Sequence, residues 1–255
     1  MPNDQPMSGE KEMSFLDHLE ELRWRILKAV LSVLAGAIIA AFYSDFLVEQ
    51  VLLGPLLKVG LKPQVLAPYG IMLTYMQVVI VAGIILSMPV ILFQLWQFVA
   101  PGLMPNERQY AWWIVFFTSF CFLAGIAFAY FILVPTALKF FSTFGTDIFQ
   151  LNVAINEYIS FMLSLILGAG LVFELPMVTY FLSKLGLVTP AFMRKYRRHA
   201  IVAILIISAI VTPTPDVLTQ SLLAAPMIIL YEVSIFISKV ARRKSATEST
   251  QSASS

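Results

Sequence analysis

Residues 71–100 read IMLTYMQVVIVAGIILSMPVILFQLWQFVA and contain no Asp, Glu, Lys or Arg. The charge-free interval around them runs from 63 to 106. About 20 apolar residues in helical form cross a bilayer core near 30 Å, so this stretch is long enough to span and too apolar to face water. Other intervals behave alike: 29–44 and 109–138 are free of charge, and 158–183 carries a single acid, Glu174. These runs are continuous and do not alternate in segments of about 10 residues, which excludes a transmembrane barrel and leaves helices to satisfy the backbone in lipid. Composition agrees: of 255 residues, 59% are hydrophobic and 13% charged, against about 25% charged in a soluble domain.

The charge gaps define six spans, at about 26–44, 71–100, 111–135, 158–182, 199–212 and 217–237. The expected fold is an all-α integral membrane protein, and an even number of spans puts both termini on one side. Of the seventeen Lys and Arg, all but Lys58, Lys62 and Lys139 fall on the side of the termini. The positive-inside rule makes that side cytoplasmic. The first span follows a charged segment and lacks a small-residue cleavage pattern, so no cleavable signal peptide is expected. The single cysteine, Cys121, lies in the third span and reads as a buried apolar thiol. Positive charge is confined to the cytoplasmic loops, and nucleic acid is not an expected partner.

Residues 1–12 and 241–255 are polar and read as a flexible N-terminal tail and a disordered C-terminal tail, bracketing one six-span domain over 13–240. The segment SFLDHLEELRWRILK, residues 14–28, starts with Ser14 and Asp17 in capping-box-like spacing and repeats Phe15, Leu19, Leu22 and Ile26 at helical intervals. It predicts an amphipathic helix running along the interface into the first span. The outer connections, 45–70 and 136–157, are apolar for exposed loops and include Pro55, Pro63, Pro68, Phe140, Phe141, Phe144 and Phe149, so they are expected to cap the outer face. TPTPD at 212–216 forbids continuous helix and makes the last two spans antiparallel neighbours. The fifth span, His199–Thr212, is about 21 Å long at 1.5 Å per residue, short of a full crossing.

Nucleotide, zinc-protease and serine-nucleophile motifs of the forms G-x-x-x-x-G-K-[ST], H-E-x-x-H and G-x-S-x-G are absent from the sequence. Its two histidines, His18 and His199, stand apart without cysteine partners. No metal site, cofactor or catalytic site is expected. That leaves the acids. Asp17, Glu20 and Glu21 fall early in the first helix, with Arg25 four residues after Glu21; taken alone, this suits the helix dipole and one intrahelical pair. Glu107, in FVAPGLMPNERQY at 98–110, has an equally plain reading at the start of the third span beside Arg108. Glu232 lies near an interface, Gln220 and Thr219 suit hydrogen bonds between helices, and Asp216 suits a cap on the last span.

Glu174 has no plain reading. It sits in LGAGLVFELPMVTYFL, residues 167–182, near mid-depth, where a carboxylate costs at least about 2.5–3.5 kcal/mol on insertion scales. Pro176 frees the carbonyl of Val172 and predicts a bend, while Gly168 and Gly170 admit a close neighbour.

Taken together and in order, FLDHLEELRWR, FVAPGL followed by NER, FELP, and TPTPDVLTQ resemble the TatC family, the core subunit of the twin-arginine protein translocase. The resemblance covers residues 14–240 or so. It implies a concave, glove-like bundle in the bacterial cytoplasmic (inner) membrane. The implied function is binding of twin-arginine signal peptides and export of folded proteins with TatA- and TatB-type single-span partners, driven by the proton gradient, in a complex holding several copies of the chain. By the same resemblance Glu21 and Glu107 receive the arginines, with Leu22, Arg23 and Phe98 beside them. Glu174 and Pro176 form an intramembrane polar site, and Thr212, Asp216 and Gln220 face partner subunits.

Physical chemistry is consistent with the arginine assignment. A guanidinium fork matches a carboxylate with two parallel hydrogen bonds, which an ammonium cannot copy. Two such contacts supply only about 3–6 kcal/mol, so the apolar part of the peptide must add affinity by lying along the bundle. The alternatives are an ion-coupled small-molecule transporter using Glu174, and a scaffold for other subunits. The first expects more mid-membrane acids and an inverted repeat, and the sequence offers neither.

Overall fold

The structure, a computed structural model, describes residues 15–99, 111–143, 153–184, 186–212 and 216–252. Outside the described residues lie the tail 1–12, Ser14, the turn holding Glu107 and Arg108, Phe144, Phe149, Pro213 and Pro215, together with the side chain of Asp17.

Helix α1 runs unbroken from Phe15 to Phe42. No Gly or Pro occurs between 15 and 35, so nothing ends the helix where an interfacial segment would turn into the membrane. The amphipathic segment and the first span are therefore one rod. A π-helical segment, Phe46–Leu52, leads into α2, Leu53–Lys58, and strand β1, Pro63–Gln64. Helix α3 spans Gly70–Val99. Helix α4, Ala111–Phe128, passes through a second π segment, Ala129–Leu133, into α5, Val134–Thr143. Both π segments run into a helix with proline near its start, Pro55 and Pro135. A missing N–H and a ring that crowds the previous turn favour such a local widening. The third stretch thus continues as helix to Thr143, beyond the expected end at 135.

After strand β2, Val153–Ala154, the fourth stretch is divided into α6, Ile155–Val172, and α7, Leu175–Lys184. Pro176 is the cause. Glu174 N–H reaches Leu171 O at 3.1 Å, and Glu174 O then accepts from Met177 and Val178 N–H at 3.0 Å each, restarting the helix beyond the break. Thr189 caps the short α8, Pro190–Lys195, by accepting Phe192 N–H at 3.0 Å. Helix α9, Arg197–Val211, has 15 residues, about 22 Å of rise. Helix α10 covers Val217–Ser252. Its final turns fall in the segment read from sequence as a disordered tail; Ala, Lys, Arg and Glu extend a helix readily once it is nucleated.

Among the described residues, five helical stretches are long and apolar enough to cross a membrane: His18–Phe42, Gly70–Phe98, Trp112–Thr143, Ile155–Lys184 and Val217–Lys239. The short α9 is not among them. The fourth stretch is the packing centre, with Ile159, Met162 and Leu165 fully buried. Small residues set how closely the helices meet. A Cβ on Gly83 would lie 2.7 Å from Ala37 N, and one on Gly125 would lie 2.6 Å from Ala169 O, so the α1–α3 and α4–α6 seams are backbone contacts. Ser87 Oγ donates to Ser32 O at 2.6 Å across the first seam. Away from that seam α1 exposes Leu34, Ile38 and Phe42, as a lipid-facing surface does.

The outer end is tied by polar bonds within an apolar cap. Tyr130 and Tyr158 hydroxyls donate to Val51 O at 2.9 Å and Leu52 O at 2.7 Å, pinning the first π segment. The strands β1 and β2 pair in parallel, Pro63 with Val153 and Gln64 with Ala154, joining the two outer connections.

Candidate functional site

The N-terminal part of α1 and the C-terminal end of α3 bring His18, Glu21, Arg25, Gln97 and Phe98 together. Arg25 Nε donates to Glu21 Oε1 at 3.0 Å, and Arg25 Nη2 donates to the same oxygen. The third side of the fork, Nη1, donates across the helix pair to Gln97 Oε1 at 2.6 Å. Glu21 Oε2 is shielded and has no hydrogen-bond partner; His18 Nδ1 lies 3.7 Å from it. The His18 ring stacks on Phe98 with centroids 4.3 Å apart and planes 12° apart. Leu22 is half-buried beside this cluster and Arg23 is exposed. The chemistry on offer is carboxylate recognition of a guanidinium, presented at the end of two membrane helices. Glu107 lies outside the described residues.

Glu174 is 7% exposed. Its carboxyl group forms part of the wall of a cavity of about 420 Å³ between α3, α4 and α7, lined by Met88, Leu92, Trp96, Thr118, Val178 and Phe181 among others. Neither carboxyl oxygen has a hydrogen-bond partner. Thr118, which belongs to the same wall, donates its hydroxyl to Ile114 O at 2.6 Å. Buried Pro176 stands two residues on, in the first turn of α7 beyond the helix break. Such a wall can take up an apolar helix face carrying one polar group.

At the other end of the bundle, Gln220 Nε2 donates to Leu205 O at 3.0 Å, joining α9 to α10. Thr212 is buried and its hydroxyl donates to Ser208 O at 2.8 Å. Asp216 caps α10 by accepting Thr219 N–H at 2.6 Å. Of these three side chains Gln220 ties α9 to α10, while Thr212 and Asp216 finish the facing helix ends of the hairpin. Glu232 pairs with Arg197 at 2.7 Å. Among the described residues no three His, Cys, Asp or Glu gather as a metal site would require.

The model of the family described as "Sec-independent protein translocase protein (TatC)" matches residues 17–226. The chain belongs to the TatC family. It is 41% identical over 235 residues to the TatC of Carboxydothermus hydrogenoformans, covering 92% of this chain and 96% of that one. It is 37% identical over 244 residues to TatCy of Bacillus subtilis, 93% of each chain. A crystal structure described as the twin-arginine translocase receptor TatC superposes with a TM-score of 0.79 at 35% identity, covering 88% of this chain and 99% of that one. As a TatC, the chain is a Sec-independent protein translocase subunit, a transport component and a multi-pass membrane protein.

Sequence reasoning singled out Glu21, its neighbour Arg25 and Glu174; the structure pairs the first two and buries the third. The sequence reading missed Gln97 and gave His18 no role. Gln97 is 72 residues from Arg25, and no periodicity within one helix signals a partner on another. The stack of His18 on Phe98 joins the same two helices and was equally invisible.

Proposed function

We propose that this chain is the signal-peptide receptor and core subunit of a twin-arginine translocase. It lies in the bacterial cytoplasmic membrane with both termini inside and exports folded proteins with TatA- and TatB-type partners at the expense of the proton gradient. Glu21 and Glu107 receive the two arginines, and Leu22, Arg23 and Phe98 shape the ground beside them. The observation that carries this reading is the arginine-ready state of Glu21: its carboxylate already holds a guanidinium through two donors. Both donors meet one oxygen, Oε1; a planar guanidinium can make such a two-donor contact and an ammonium cannot copy its fixed geometry. Glu174 takes the polar group of an inserted helix, of the signal peptide or of a partner subunit, within its apolar cavity. Thr212, Asp216 and Gln220 set the hairpin surface against which a partner packs.

The test is photo-crosslinking of a twin-arginine signal peptide, with a twin-lysine control, to probes placed beside Glu21 and Glu107. Arginine-dependent crosslinks that disappear in Glu21→Ala and Glu107→Ala support the reading. Normal export by the double variant contradicts it. For the membrane site, Glu174→Leu is expected to insert and fold while losing transport. Transport by Glu174→Gln but not Glu174→Leu assigns a polar role, and normal transport by both removes the site from the mechanism.

A further inference from the structure

We propose that Arg25 is an internal competitor for the arginine site: it occupies Glu21 when no peptide is bound, Gln97 holds it there from α3, and an incoming arginine binds by displacing it. This rests on the reading of Glu21 as an arginine acceptor.

Neither oxygen of Glu21 is open. Oε1 already accepts twice from Arg25, and Oε2 is shielded beside His18, which is itself held by its stack on Phe98. A two-point contact from a new guanidinium therefore needs Arg25 to leave. Arg25 is also more than an ordinary intrahelical partner. An exposed pair four residues apart contributes little because both side chains must be ordered to make it. Here the Arg25 and Glu21 side chains are only 16% and 20% exposed, and the Gln97 bond at 2.6 Å fixes the guanidinium from a second helix. Gln97 is a positioning residue, acting on the site through Arg25.

The exchange is like for like, one guanidinium for another on the same carboxylate. Apparent affinity then equals intrinsic affinity scaled by the fraction of molecules in which Glu21 is free. The competitor raises the threshold for any cationic peptide, and only a ligand that re-forms the fork and adds contacts elsewhere clears it. Loss of the competitor is expected to tighten arginine and lysine peptides by the same factor, about three- to tenfold, leaving their ratio unchanged.

The experiment measures binding of a labelled twin-arginine signal peptide, and its twin-lysine form, to the purified chain in nanodiscs. Arg25→Gln removes charge and fork; Arg25→Lys keeps the charge and loses the fork. Both are expected to tighten binding. Gln97→Leu is expected to tighten it less in the wild-type background and to add nothing to Arg25→Gln. If Arg25→Lys binds as wild type while Arg25→Gln tightens, charge repulsion explains the effect and competition is overturned. If both Arg25 variants weaken binding, Arg25 supports the site and competition is again overturned; the two substitutions differ in charge, so a folding defect in one is checked by the other. Glu21→Ala in the same assay separates the underlying reading: if it keeps the preference for arginine over lysine, the assignment of Glu21 fails and the proposal falls with it, whatever the sign of the Arg25 results.

Discussion

Glu21 and Glu174 are both carboxylic acids on membrane helices, and their surroundings are opposite. Glu21 lies where α1 begins and α3 ends, with a guanidinium, an amide and an imidazole within one cluster. Glu174 lies in the interrupted fourth span, in an apolar cavity with no partner for either oxygen. An acid already paired with a guanidinium through one oxygen suits the proposed recognition of arginine. An unsatisfied acid in an apolar wall suits a helix that arrives with its own polar group, because burial without a hydrogen bond is costly and a partner relieves the cost. The difference is the ground for proposing two tasks at two places.

The largest expected effect falls on the first place. Glu21→Ala removes a charge-assisted contact of about 1.5–3 kcal/mol, so arginine-peptide affinity should fall by roughly ten- to a hundredfold while thermal unfolding in detergent stays near wild type. A drop in stability matching the loss of binding would mean that the Arg25–Glu21–Gln97 cluster mainly holds the helices together.

Next in size is Gly125→Val. A Cβ there meets Ala169 O at 2.6 Å and Gly170 Cα at 2.9 Å, and backbone cannot step aside as a side-chain tip can. Forcing α4 from α6 should cost about 1–3 kcal/mol of stability and deform one wall of the Glu174 cavity. The proposed arginine preference, placed where α1 begins and α3 ends, should survive in the folded fraction. Its loss would show that the two places are mechanically coupled.

Glu174→Leu should do what most core substitutions do not and raise stability, by about 1 kcal/mol, since it removes a buried carboxyl group with no partner. A higher thermal midpoint in detergent, with unchanged peptide affinity, is the expected pair of results. A fall in stability would imply that the carboxyl group is bonded in the membrane. Gln220→Leu is the smallest change. It removes one bond from α10 to Leu205 O and should lower stability by about 0.5–1.5 kcal/mol, with no effect at either acid.

Much of this arrangement was legible from the chain. Gaps between charges located the long apolar helices, and Pro176 announced the break after Val172 that puts Glu174 at a helix start. The Glu21–Arg25 pair was legible because four residues bring side chains together on any helix. Three things were not. The absence of any Gly or Pro between 15 and 35 permits a single rod, yet amphipathic patterning alone suggested a change of direction there. The π segments and the β1–β2 bridge depend on how distant segments meet. The Gln97 bond, and the stack of Phe98 on His18, arise only because Gly36 and Gly83 let α1 lie against α3, and a cross-helix contact of that kind leaves no local pattern.

The division of labour is tested most directly by the ratio of affinities for twin-arginine and twin-lysine signal peptides, measured on the wild type, Glu21→Ala and Glu174→Leu in nanodiscs. The account predicts that the preference for arginine collapses in Glu21→Ala and is unchanged in Glu174→Leu. A preference that survives loss of Glu21, or vanishes with loss of Glu174, would contradict it.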